Sequence, residues 1–350
     1  MNRRSFLITG AGAMAAVATE SSAYQSARPT ICAFSKHFQW AGIAEMTDVC
    51  AKLGYDGIDL TVRDGGHVLP TRVEDDLPKA VEIIHKAGLT TPMVTSGIVD
   101  ATTPHAERVV KTLVSLGIRT YRWGSFFYDL NRDLPPQIAE FRARVKDLAA
   151  LNKQYGCCAI YHTHSGERYL GASFWDLHIL LDGFDPDAVA VNYDIGHATV
   201  EGGLGGWVHS WRLLQPRVRG VAVKDFYWDK AADGKWQDHW CPLGQGMVHF
   251  DRFFPMLKAS GFHGPLQLHM EHPELGGAND GKRELSISQG PINHGHALRH
   301  GRAEEQIARG GDRLTDRSGS AKTKKAFFVL RYCPVYKDGS DSSLGRTTSL

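Results

Sequence analysis

From Thr30 onward the chain alternates short apolar runs with longer stretches whose apolar residues recur every three or four positions. Runs of the first kind predict buried strands, and stretches of the second kind predict amphipathic helices. Strands are expected at 31–35, 57–62, 91–96, 120–124, 158–162, 189–194, 220–224 and 265–271. Helices are expected at 41–53, 74–87, 105–116, 136–155, 173–181, 206–214 and 251–260. The first helix shows the pattern, with Ile43, Met46, Val49, Cys50 and Leu53 on one face. Eight strands separated by helices over roughly 250 residues have the length and order of a (β/α)8 barrel, an α/β fold. A doubly wound open sheet is the structural rival, but no GxGxxG or P-loop follows the first strand. Gly54 and Gly261 each close a helix and lead into a strand, as repeated βα units require.

The two ends of the chain read differently. Asn2-Arg3-Arg4-Ser5-Phe6-Leu7 precedes a small apolar run over 8–18, and Ser21-Ser22-Ala23 follows. A basic start, a short apolar stretch and small residues describe a secretory signal over 1–29, not a membrane span. The paired arginines before Ser-Phe-Leu are similar to a twin-arginine signal, which implies a periplasmic or exported protein that folds before export. A Sec signal or an uncleaved anchor is the alternative. The barrel is expected over 30–290. Beyond it, 291–350 loses periodicity and is rich in Gly, Arg, Ser and Thr, with one compact apolar run at 327–330. It reads as an irregular, non-globular basic tail, a frameshift product or a partner-binding segment.

A net charge of +2 gives no electrostatic case for nucleic acid or for stable membrane association. The six cysteines show no CxxC or zinc-ribbon spacing and read as free, mostly buried thiols. Self-association into a homo-oligomer is left open.

Polar clusters sit at the ends of the later strands: Tyr161-His162-Thr163-His164, Tyr193-Asp194-Ile195-Gly196-His197, Lys224-Asp225 and His269-Met270-Glu271. In a parallel barrel these ends converge at one mouth. By the strand period of two, His162 shares a face with His164, and His269 with Glu271. Singly, a strand-end histidine is more often structural and Lys224-Asp225 a surface pair; together they predict one metal site. Imidazole and carboxylate suit Mn²⁺, Zn²⁺, Co²⁺ or Fe²⁺ better than Ca²⁺.

These residues resemble the xylose isomerase-like TIM barrels, the sugar phosphate isomerases/epimerases. That family includes D-tagatose 3-epimerase, inosose dehydratase and hydroxypyruvate isomerase, with endonuclease IV as a DNA-repair relative. The resemblance covers about 30–288 and also rests on Ser35-Lys36-His37, Gly57-Ile58-Asp59-Leu60, Gly65-Gly66-His67, Pro242-Leu243-Gly244-Gln245-Gly246 and Gly276-Gly277-Ala278. It implies one divalent ion (Mn²⁺, Zn²⁺, Co²⁺ or Mg²⁺) and a small sugar substrate. Members hold the ion with Glu, Asp, His and Glu from strands five to eight. Asp194 and Glu271 match the aspartate and the last glutamate. His162 stands at the first glutamate position, and Ala222 at the histidine position. Asp225, His239 or water would then complete coordination.

The resemblance also implies proton transfer beside a carbonyl through an enediolate. Glu271 is the expected base, with His162, His164 or Lys224 handling the second proton. His197 and His269 are expected substrate contacts, and Trp123, Phe126 and Trp228 an apolar wall. An isomerase or epimerase is the first expectation. A 3-keto-glycoside lyase or hydrolase and a non-catalytic sugar-binding protein are its rivals, and an endonuclease is the least supported.

Overall fold

The computed structural model describes residues 28–271. The expected signal over 1–29, save its last two residues, lies outside the described residues, as do the end of the barrel segment and the 291–350 tail. So do Gly276-Gly277-Ala278.

Eight parallel strands close into a barrel. They are β1 (Ile31–Phe34), β2 (Gly57–Val62), β3 (Val94–Ser96), β4 (Thr120–Trp123), β5 (Cys158–His162), β6 (Val189–Asp194), β7 (Val218–Val223) and β10 (Leu266–Leu268). Each pairs with its neighbours in chain order, and β10 closes the ring onto β1. This is the expected (β/α)8 architecture. Strands β2, β5 and β6 are buried along their whole length because helices cover one face and the barrel interior the other. That is why they read as unbroken apolar runs rather than alternating ones.

The outer layer holds α1 (Ile43–Lys52), α2 (Val73–Lys86), α3 (Ala106–Ser115), α4 (Leu134–Tyr155), α5 (Trp175–Leu181), α6 (Ile195–Gly202), α7 (Gly206–Leu214) and α8 (Phe250–Ala259). Helix α4 shows how the sequence builds one. Pro135 opens it, Phe141, Val145, Leu148 and Asn152 form its buried stripe, and Gly156 ends it at φ 65°. No helix of the described residues is long and apolar enough to cross a membrane. Among the described residues Cys32, Cys50, Cys157, Cys158 and Cys241 are buried and form no disulfide.

Two elements were not expected. Helix α6 follows β6 without a loop, and its N-cap is Asp194, whose Oδ1 accepts from the His197 N–H at 2.9 Å. Two glycines in eight residues hide it from a propensity reading. The second is an antiparallel hairpin, β8 (Asp225–Lys230) with β9 (Trp236–Cys241), inserted between β7 and α8. Asp233-Gly234 at its tip, with Gly234 at φ 79°, is the local signal for it.

Asp225 anchors this hairpin, which corrects its expected role as a metal ligand. Its Oδ1 accepts the N–H groups of Phe226 and Val248, and its Oδ2 those of Gly244 and Gly246. Both oxygens are therefore committed to the loop between β9 and α8. Gly246 packs so closely that a Cβ there would lie 2.3 Å from Asp225 Oδ1.

Asp225→Ala is expected to leave four donors without an acceptor and to destabilise the protein by at least about 2 kcal/mol in urea unfolding. A loss under half of that would show that the loop holds itself. A second expectation concerns Asp59 on β2, whose two oxygens both accept from Thr95 Oγ1 (3.0 and 2.9 Å). Burial raises its pKa from 3.8 to about 7. The folded state therefore binds this proton more tightly than the unfolded chain. The resulting stability is complete below the unfolded value and is lost as pH rises through about 7. Asp59→Asn, which cannot ionise, should lose less stability than the natural chain between about pH 5 and about pH 8. Parallel urea midpoints for the two proteins would refute this.

Candidate active site

The site is built where β5, β6, β7 and β10 end. His162 is the last residue of β5 and Asp194 the last of β6; Lys224 follows β7, and His269 and Glu271 follow β10. All five are buried. Barrel closure alone brings together residues more than a hundred positions apart in the chain.

Lys224 Nζ lies at the centre. It donates to Glu271 Oε2 at 2.7 Å and to His197 Nε2 at 2.6 Å, and stands 3.6 Å from Asp194 Oδ2. The Trp240 ring on β9 covers it at 3.9 Å. Because His197 Nε2 accepts, its Nδ1–H donates to Ser165 Oγ at 2.7 Å. Lys36, after β1, approaches the other Glu271 oxygen at 3.3 Å. Burial pushes Glu271 up, but Lys224 and Lys36 outweigh it and hold the carboxyl well below its ordinary range. Asp194 is pushed up to about 6 by burial, with Lys224 pulling the other way. The imidazoles of His162, His164, His197 and His269 are all held well below their ordinary value, chiefly by burial. Burial thus favours the uncharged form of each ring.

Two side-chain triplets place donor atoms within 4.8 Å of one another: His162, His164 and His197, and His162, Asp194 and His269. The first is compromised, since both His197 nitrogens are engaged and His164 Nε2 lies 3.4 Å from the Arg122 guanidinium. The second is not. Among the described residues Asp194 Oδ2 and both ring nitrogens of His269 are buried with no hydrogen-bond partner. A buried polar atom without a partner is unfavourable. His162 Nε2 and His269 Nδ1 lie 3.6 and 4.0 Å from Asp194 Oδ2. Ligands around a tetrahedral zinc ion stand about 3.4 Å apart, so the set needs only a small inward movement to fit a divalent ion. His269, expected as a substrate contact, is thus grouped with His162 and Asp194 instead of lining the cavity. Phe34 stacks on its ring at 4.5 Å and fixes its plane.

A cavity of about 460 Å³ is lined by Lys36, His164, His197, Trp228, Trp240 and Glu271 among others. His164, His197 and Trp228 therefore line it. Trp123 does not: it is buried edge-on to Tyr161 at 5.3 Å, and Phe126 is stacked on Phe141 at 4.7 Å. Both belong to the core, because the expected wall residues on and after β4 point outward under α4. Trp240, on the unexpected hairpin, is the wall instead. Lys36 and Arg122 were also missed. The triplet Ser35-Lys36-His37 carries the same strand-end signal as the later clusters, whereas nothing local marks Arg122.

Residues 47–290 match the profile of the xylose isomerase-like TIM barrel family. No curated protein matches the chain. Among solved structures, the IOLI protein with a bound zinc atom gives a TM-score of 0.58 at 14% identity, over 87% of this chain and 99% of that one. D-allulose 3-epimerase from Methylomonas sp., in complex with D-allulose, gives 0.53 at 16% identity, over 69% and 84%. The 3-keto-D-glucoside 4-epimerase of E. coli gives 0.54 at 14% identity, over 70% and 93%. At such identities the likeness is one of fold.

His269→Ala is expected to lower Zn²⁺ or Co²⁺ affinity by at least about tenfold, measured by titration calorimetry, because removing a ligand costs more than disturbing its support. Unchanged affinity would remove His269 from the donor set.

Proposed function

We propose, from the premise that the chain belongs to the xylose isomerase-like TIM barrel family, that it is a divalent-metal-dependent isomerase or epimerase of a sugar or keto-sugar. The observation that carries this reading is that Asp194 Oδ2 and both His269 ring nitrogens, beside His162, are buried without a hydrogen-bond partner and lie within donor distance of one another. His162, Asp194 and His269 would hold the ion. Once bound, it would supply Lewis-acid polarisation of a carbonyl and its neighbouring hydroxyl.

The remaining chemistry falls to the chain. Glu271 is a carboxylate on the cavity wall and is the base that takes a C–H proton next to the carbonyl. Its two lysine contacts keep it ionised and fix its oxygens. Lys224 links it through His197 to Ser165, a hydrogen-bonded line along which a proton moves away from or back toward substrate. His164, on the same cavity, serves a hydroxyl or returns the second proton. Trp240 and Trp228 supply the apolar wall against which a sugar ring lies.

A second reading, a 3-keto-glycoside lyase or hydrolase, draws on one observation. His162 is an imidazole at the end of β5, where the resemblance places a glutamate. A two-carboxylate shuttle across both faces of one carbon is therefore unavailable at that position, whereas expulsion of a leaving group after one enolising step needs only Glu271.

Glu271→Gln should reduce turnover by about 10²- to 10⁴-fold with an unchanged circular dichroism spectrum. The assay panel is a set of ketohexoses and 3-keto-glycosides, scored separately for epimer and for released aglycone. Retained activity in the variant would overturn the base assignment, and aglycone release alone would select the second reading.

A further inference from the structure

Below the donor set, Asn192 on β6 and Gln267 on β10 are both fully buried in the barrel interior. Strand β7 lies between them, and it carries Gly220 at this level. A Cβ at 220 would come within 2.7 Å of Asn192 Oδ1 and 3.1 Å of Gln267 Nε2, so the absence of a side chain lets the two amides meet. They form a reciprocal pair: Asn192 Nδ2 donates to Gln267 Oε1 at 2.8 Å, and Gln267 Nε2 donates to Asn192 Oδ1 at 3.1 Å. The free side of the Asn192 amide lies 3.0 Å from His162 Nδ1.

An amide's nitrogen and oxygen have nearly the same shape, so the pair has two settings. Exchanging N and O on both residues at once preserves both bonds of the pair. Gln267 then gives up only a contact to Met93 Sδ, a weak acceptor. The two settings are not equivalent for His162. With the Asn192 nitrogen toward the ring, Nδ1 must accept, the ring proton sits on Nε2, and Nε2–H faces Asp194 Oδ2 at 3.6 Å. That separation is too long for a good hydrogen bond, so this setting gains little from Asp194. With the Asn192 oxygen toward the ring, Nδ1–H donates to it, and the Nε2 lone pair turns toward the Asp194 carboxylate. Two facing lone pairs repel, and a cation held between them turns that repulsion into attraction.

We propose that the Asn192–Gln267 pair is a positioning device that sets the tautomer of His162, in one setting withholding Nε2 and in the other presenting it to a divalent cation. This rests on the metal-dependent reading above. Asn192 acts only through His162 and touches neither ion nor substrate. Gly220 is part of the device, because any side chain there would separate the two amides.

The test uses the full chain, zinc alone as the probe, and two readouts besides activity. Nitrogen-15 spectra of the zinc-loaded natural protein should show His162 protonated at Nδ1 and bound through Nε2. A proton on Nε2 in that form would overturn the proposal, and this readout needs no variant. Zinc titrations should show Asn192→Leu, which cannot accept the Nδ1 proton, binding about 10- to 100-fold more weakly. Asn192→Asp, which can only accept, should restore the affinity. Equal affinity of Asn192→Leu and the natural chain would overturn the positioning role while leaving the metal site standing. A natural chain that takes up no zinc would remove both readings together.

Discussion

The buried contact between Lys224 and Glu271 organises most of what surrounds it. A lysine and a glutamate out of water need each other, and removing one partner of such a pair typically costs about 3–5 kcal/mol. At 2.7 Å the two join the end of β7 to the end of β10, its neighbour in the barrel. The lysine stem then dictates its neighbours. Gly196 has no Cβ because one would meet Lys224 Cγ at 2.7 Å, so the first turn of α6 is shaped by this side chain. That same turn delivers His197 to Lys224 Nζ and sets Asp194 as its cap. Trp240 then closes over the ammonium from the hairpin. Cap, helix, hairpin and cavity wall all refer to one charged group.

The metal-fitting set differs from the one the family resemblance implies, and the difference has a structural logic. With Ala222 at the β7 position, no imidazole comes from that strand. His269, two residues before Glu271, turns a ring nitrogen toward Asp194 from the neighbouring strand. His162 completes the set from the opposite side. Glu271 stands apart from this set, on the cavity wall with its two lysines.

The barrel was legible in the sequence because it is a repeating object. Each parallel strand is covered on both faces, so eight apolar runs survive as eight strands, with ends off by at most three residues. The site was legible where polar residues directly follow such a run, as with His162, Asp194, Lys224 and His269. It was not legible where function depends on direction. Trp123 reads like a cavity residue, yet its ring packs against Tyr161. Asp225 reads like a ligand, yet four backbone donors claim it. Trp240 and Arg122 were invisible, the first because the hairpin interrupts the βα rhythm and the second because a lone arginine in a strand resembles any half-exposed position. Asn192 and Gln267 lie within predicted strands, but their pairing across Gly220 is a fact of closure that no local pattern contains.

The hairpin of β8 and β9 has all its ladder partners within itself; it borrows none from the barrel. Its foot is tied by Asp225, and its body supplies Trp228, Asp238 and Trp240 to the cavity. A segment so connected behaves as a cassette. Its length and side chains can drift without disturbing the register of any barrel strand, so the range of molecules admitted to the mouth is free to change through evolution while the buried polar groups at the strand ends stay fixed.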